Sequence, residues 1–273
     1  MIREMKQYRQ NLHTHTTYCD GRDTIEEMII AACEKGFHSI GFSSHSVMGG
    51  RSLSQHIIDD YKREIAVLKN KYADRIEVFC GLECEMRGDV DLSGFDYLIG
   101  AIHYFEFENE LVSFERELQD AYAIIKQFFG GDGMAFAKFY YQELAKLPQY
   151  GSFDIIAHFD LITKYRERES LIDVTAKEYQ WAAIEAAEQL AGKIPYFEIN
   201  TGAMARGYRT SPYPDVFLLK ELKRLGFGAI ISTDCHDSTY LDYGYSQAVG
   251  LLKECGFKEQ FVLTKHGFVP IEL

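Results

Sequence analysis

Short apolar runs alternate along this chain with longer amphipathic stretches, and that alternation predicts the architecture. Runs at 11–15, 39–44, 76–83, 97–103, 153–158, 196–200 and 229–233 have the length and the β-branched or aromatic content of strands. Stretches between them carry apolar positions three and four apart and read as helices over about 24–35, 57–72, 115–147, 174–190 and 214–225. A last helix is expected at 244–254, followed by a short tail strand near 260–263. Thr24 with Glu27 three residues on forms a capping box, Gly36 ends the first helix and Gly226 ends that over 214–225. Gly130-Gly131-Asp132-Gly133 breaks the long helical region. Seven strand–helix units imply parallel strands with right-handed crossovers, and that number suits a closed barrel better than an open sheet. The chain is expected to be one α/β domain over residues 1–273, with no repeat and no low-complexity linker.

Composition narrows the function. The net charge of −12 argues against a general affinity for nucleic acid or anionic membranes, where a basic surface is expected. A small-molecule substrate is the natural alternative. Residues 1–10 are polar, so no signal peptide is read there, and no apolar run is long enough to span a bilayer. Six cysteines in a chain of 273 residues do not suggest a disulfide framework, and a reducing cytoplasm is the expected setting. Oligomeric state stays open.

The chemistry lies at the ends of the strands. Residues 10–21 read Q-N-L-H-T-H-T-T-Y-C-D-G. Side chains two apart on a strand share a face, so His13 and His15 can grip one cation while Thr14 turns away, and Asp20 arrives from the following loop. A lone His-x-His is weak evidence. Its weight grows because His45, Glu83, His103, His158, Asp234 and His236 also fall at or just past carboxyl ends of expected strands. In a barrel those ends share one face, where active sites are built. His38, His56 and His266 fall elsewhere and are read as ordinary residues.

Imidazole nitrogen with carboxylate oxygen suits Zn²⁺, Mn²⁺ or Fe²⁺ rather than a soft thiolate site. Cys84 and Cys235 adjoin ligands but point away by strand alternation, and a zinc–thiolate role for Cys19, Cys84 or Cys235 is the lesser alternative. At three or four ligands per ion, two or three ions fit. With three ionised carboxylates, three such ions leave a local charge of about +3, attractive to a phosphate dianion and able to bring a bridging water to roughly neutral pKa as a source of hydroxide. His13, His15, Glu83, Asp234 and His236 are the residues on which catalysis is expected to rest.

N-L-H-T-H-T at 11–16, D-G at 20–21, S-S-H at 43–45, G-L-E at 81–83, I-H at 102–103, A-H-F-D-L-I-T-K at 157–164 and S-T-D-C-H at 232–236 together resemble the polymerase and histidinol phosphatase (PHP) superfamily, in its order and over essentially the whole chain. The stretches 157–164 and 198–214 resemble its stand-alone histidinol-phosphate phosphatases. The resemblance implies a distorted (β/α)7 barrel and hydrolysis of L-histidinol phosphate to L-histidinol and phosphate. It implies a trinuclear site: His13, His15, Glu83 and Asp234 on one ion, Glu83 bridging to a second held by His103 and His158, and Asp20, His45 and His236 on the third. Related phosphatases carry Leu-Arg-Lys where this chain has Met204-Ala205-Arg206, which places a phosphate clamp on Arg206 with a shift of one position. Lys164, Arg166 and Arg51 are weaker anion candidates, and Glu106 is a candidate partner for a substrate ammonium.

Other readings compete. A nucleotide or oligonucleotide end would need the same chemistry on another substrate. A non-catalytic metal-binding module would need the ligands without turnover. An amidohydrolase-like barrel shares His-x-His but requires a ligating lysine that is not evident.

Overall fold

Most expected strands are present but shorter than their apolar runs. The structure is a computed structural model and describes residues 8–273, so most of the polar stretch 1–10, which carries the expectation about a signal peptide, lies outside it. In chain order the elements are β1 (Gln10–Asn11), α1 (Ile25–Glu34), β2 (Ser39–Phe42), β3 (Val47–Met48), β4 (Arg51–Ser52), α2 (Gln55–Lys71), β5 (Glu77–Glu85), β6 (Tyr97–Ala101), β7 (Tyr104–Phe107) and β8 (Glu110–Ser113). They continue with α3 (Leu118–Phe128), α4 (Gly133–Leu144), β9 (Ile155–Ile156), α5 (Lys177–Leu190), β10 (Tyr196–Asn200), α6 (Gly202–Ala205), α7 (Val216–Arg224), β11 (Gly228–Ser232), α8 (Tyr245–Glu254), β12 (Glu259–Thr264) and β13 (Gly267–Glu272). The Thr24–Glu27 capping box opens α1 as expected, and the glycine break separates α3 from α4, with Asp132 capping the latter. No helix among the described residues is long and apolar enough to cross a membrane.

Seven parallel strands form one sheet in the order β1-β2-β5-β6-β9-β10-β11. The sheet curls until its edges meet, and the seam is closed mostly by side chains. The Asn11 amide donates to Thr233 Oγ1 at 2.5 Å and accepts from Thr233 N at 3.2 Å. Beyond it, the His15 N–H donates to Cys235 O at 2.9 Å, beside the one backbone bridge, Thr14 to Cys235. The barrel is therefore nearly rather than fully laddered.

Strand alternation sorts its contents. Inside lie Leu12, Phe79, Tyr97, Ile99, Ala101, Ile155, Ala157 and Ile230. Outside, α1 and α2 cover one part of the sheet with Ile25, Met28, Ile40, Phe42, Tyr61 and Val78. A larger apolar layer holds Leu82, Cys84, Phe197, Ile199, Ala229 and Ile231 against the remaining helices. Tyr97 crosses the interior over Gly81 and Gly41. Its hydroxyl donates to Leu12 O and to Phe42 O, and a Cβ built on Gly81 would stand 2.2 Å from its ring.

Three hairpins depart from expectation. β3–β4 turns through Gly49 and Gly50, and β7–β8 through Glu108 and Asn109, each pair with positive φ as a two-residue type I′ connection demands. The tail strand also has an antiparallel partner, β13. The first strand ends at Asn11, before the histidines it was expected to carry.

Candidate metal centre

The nine residues singled out in the sequence do meet at one mouth of the barrel. Glu83 reaches it because Leu82 and Cys84 on either side face the outer apolar layer, which turns residues 81, 83 and 85 inward. His103 continues the inward register of Tyr97, Ile99 and Ala101. His13 and His15 lie past β1, yet Thr14 keeps that segment extended. Its N–H meets Ser43 Oγ, its carbonyl accepts from Ser43 N, and its hydroxyl donates to Gly41 O at 2.7 Å, so the two imidazoles point away from it together. Asp234 has φ +47, a left-handed conformation that costs energy for a non-glycine residue and recurs where structure holds a side chain for function.

Three triangles of donor atoms result. His13 Nε2 lies 3.3 Å from Glu83 Oε1 and 3.6 Å from Asp234 Oδ1, while His15 Nε2 lies 3.1 Å from that same Asp234 oxygen. His103 Nε2 and His158 Nε2 are 3.3 and 3.1 Å from Glu83 Oε1 and 3.2 Å from each other. Asp20 Oδ1 is 3.3 Å from His236 Nε2 and 3.5 Å from His45 Nε2. Ligands about 2.1 Å from a tetrahedral cation stand about 3.4 Å from one another, which matches these spacings. His13 Nε2 and His15 Nε2 are buried without a hydrogen-bond partner, a costly condition for a polar atom unless something binds it. The donor set and its orphaned atoms fit divalent cations.

His45 and His15 touch more than one triangle. His45 Nδ1 is 2.7 Å from Glu83 Oε2, and His15 Nδ1 is 3.8 Å from Asp20. Cys19 Sγ sits 3.4 Å from His15 Nδ1, behind the ring rather than among the converging atoms. Cys84 and Cys235 are packed in the outer apolar layers, as expected.

Electrostatics separate the groups. Burial opposes charge on Glu83, yet His13, His45 and His103 hold its carboxyl well below the usual range. Asp234 behaves alike under Arg206 and His13. Burial, with His236 and His45 beside it, pushes His15 down to about 3, leaving a neutral ring with a lone pair to offer. For His13, burial is outweighed by Glu198, Glu83 and Asp234, which pull its imidazole well above the usual value.

The anion candidates divide. Arg206, a third exposed, grips Asp234 Oδ2 at 3.0 Å through Nη2, and its Nη1 lies 3.0 Å from His236 Nδ1, beside the centre. Lys164 donates to the carbonyl of Glu115 at 2.8 Å and pairs with its carboxylate. Arg166 is bound to Asp215, and Arg51 is exposed on its hairpin. Glu106 is not brought to the centre: its carboxylate pairs with Arg87 at 2.8 Å, because β7 alternation turns it away from the buried Phe105. Glu115, at the end of that hairpin, is the carboxylate facing Lys164, and it is held down to about 2 against its burial by Lys164 and His103.

Three acidic residues went unread in the sequence: Glu85, Glu115 and Glu198. Two of them carry part of a signal, which the closed sheet completes. Glu85 follows Glu83 on the same face, and Glu198 is a charge at the inward position of an otherwise buried strand, Y-F-E-I-N.

Comparison with known proteins identifies the family. The PHP domain family model matches residues 11–202. This chain belongs to the PHP domain family. A probable histidinol-phosphatase of Schizosaccharomyces pombe is 25% identical over 284 residues, covering 93% of this chain and 89% of the relative. The histidinol-phosphatase of Bacillus subtilis is 20% identical, covering 85% and 95%. Among solved structures, histidinol phosphate phosphatase from Lactococcus lactis, complexed with zinc, L-histidinol and phosphate, superposes with a TM-score of 0.71 at 21% identity, over 96% of this chain and 98% of that one. The nearly closed seven-stranded barrel is the PHP-type fold expected from the sequence.

Proposed function

We propose that this PHP chain is a metal-dependent phosphomonoesterase that hydrolyses L-histidinol phosphate to L-histidinol and phosphate. The observation that carries the reading is the convergence of His13, His103 and His158 on Glu83 Oε1 at 3.1–3.3 Å, which would let one carboxylate serve two neighbouring cations. The matched relatives named histidinol-phosphatase support the substrate.

By this reading His13, His15, Glu83 and Asp234 would hold one ion, Glu83, His103 and His158 a second, and Asp20, His45 and His236 a third; zinc, manganese or iron would suit the donor set. Such ions supply Lewis-acid charge to a phosphoryl group and acidify water. The chain's own residues do the rest. Arg206 offers a planar fork to phosphate from beside Asp234. The Asp234 and Glu83 carboxylates, held ionised, keep the donor geometry fixed as charge shifts onto the phosphate oxygens. Lys164 and Glu115 stand as a pair whose two charges match a substrate with a phosphate and an ammonium. Glu115 replaces Glu106 in that role.

The test is phosphate release by purified protein supplied with Zn²⁺ or Mn²⁺. Histidinol phosphate should be hydrolysed far faster than p-nitrophenyl phosphate or nucleotides. Equal rates on all of them would leave a phosphatase of another substrate.

A further inference from the structure

Glu198 lies beneath the centre, wholly buried, and belongs to no ligand set. Its carboxylate receives four donors. Oε1 accepts the backbone N–H of His158 at 2.7 Å and the Asn200 amide at 2.7 Å. Oε2 accepts the Ser232 hydroxyl and faces His13 Nδ1 at 2.9 Å. An ionised carboxylate only accepts, so the proton of His13 must sit on Nδ1. In the neutral ring that a cation ligand must be, the other nitrogen, Nε2, then carries the lone pair, and it is the atom aimed at Glu83 and Asp234.

We propose that Glu198 is a positioning residue that fixes the tautomer and ring plane of His13, so that Nε2 presents its lone pair to the first ion. The proposal rests on the reading of His13 as an ion ligand. Glu85 repeats the device: its Oε2 accepts the backbone N–H of His103 at 2.8 Å and faces His103 Nδ1 at 3.2 Å, leaving that Nε2 toward Glu83. Buried carboxylates behind two histidines of one cluster impose the same orientation from different strands, β5 and β10.

Glu198→Gln separates this role from simple packing. The amide keeps the shape but has one accepting atom. The His158 N–H can only donate, so the amide oxygen must face it, and the NH₂ group turns to Ser232 and His13. The Ser232 hydroxyl can rotate. His13 would have to accept on Nδ1 and carry its proton on Nε2, where the ion should bind.

The full chain, stripped with a chelator, would be titrated with Zn²⁺ against a competing dye. In Glu198→Gln the dissociation constant of the tightest site should rise roughly 10- to 100-fold, with the circular dichroism of the stripped protein unchanged. In Glu198→Asp the loss should be smaller, since the acceptor is retained. Long-range ¹H–¹⁵N spectra of zinc-loaded wild type should place the His13 proton on Nδ1, a readout that stands even if the variant does not fold. Unaltered zinc affinity in a folded Glu198→Gln, or a wild-type His13 protonated on Nε2, would overturn the proposal. If wild type binds zinc with the expected His13 tautomer but releases no phosphate from histidinol phosphate, the substrate reading fails and this one stands.

Discussion

Oε1 of Glu83 stands 3.1 Å from Nε2 of His158, a residue 75 positions away and on the far side of β6 in the sheet. The same oxygen faces His13 and His103. The other oxygen faces His15 and His45, so removing this carboxylate would take a partner from five imidazoles at once. Glu83→Ala should lower kcat by more than about 100-fold and abolish tight binding of at least one ion, measured by steady-state kinetics and elemental analysis. A near-normal kcat would show that the cluster is not the reaction centre.

Arg206 is expected to act through its forked geometry rather than its charge alone. Arg206→Lys preserves the cation but not two parallel N–H bonds. KM for histidinol phosphate should rise roughly 10-fold with a smaller loss in kcat, and inorganic phosphate should weaken as an inhibitor in parallel. Wild-type KM and product inhibition would place the phosphate elsewhere.

Chelation should silence the enzyme reversibly. Prolonged dialysis against a strong chelator should remove hydrolysis of histidinol phosphate, and Zn²⁺ or Mn²⁺ should restore it, with total phosphate release followed colorimetrically. Full activity in a preparation shown to be metal-free would contradict the role given to the nine residues.

The cluster could be read from the sequence because its residues sit at strand ends, where a polar residue interrupts an apolar run. The supporting carboxylates could not be read that way. Glu198 looks like one charge in a strand until the sheet closes and shows that its face is interior. Glu106 lies on one strand of a hairpin and Glu115 just past the other, and only the unannounced Glu108-Asn109 turn decides which of them faces Lys164. The β3–β4 hairpin carried a signal, Gly49-Gly50, but its two-residue strands bury too little to mark a periodic pattern. Barrel closure likewise depends on the Asn11 side chain, which no hydrophobic pattern encodes.

Asp160 gives the fold a pH dependence of its own. Burial, reinforced by the Asp215 carboxylate and opposed by Arg209, pushes it up to about 7, against about 3.9 for an unfolded aspartate. Between those values the folded chain holds the proton and the unfolded chain does not, so this contribution to stability declines as pH rises, by up to about 1.4 kcal/mol per pH unit, and is gone above about 7. Oδ1 lacks a partner, whereas Oδ2 accepts from Asp215 N. Asp160→Asn should therefore flatten the fall in stability between about pH 4 and 7, measured by denaturant unfolding. Parallel profiles for the two proteins would refute the assignment.

Gly81 leaves room for Tyr97 and nothing more. Gly81→Ala places a methyl group 2.2 Å from the ring and should destabilise the fold by about 1–3 kcal/mol, read from the shift in denaturant midpoint. An unchanged midpoint would mean that Tyr97 moves aside at no cost.

The stitched seam has a consequence for the order of events during synthesis. His15 and Cys235 are held together by a backbone bond although some 220 residues separate them, and such long-range pairings form late because the intervening chain must first be arranged. A nascent polypeptide carrying only the leading motifs has the ligands of one lip and not those of the other. Catalytic competence should thus arise abruptly, after the ribosome has released the stretch around Asp234, rather than growing in step with length.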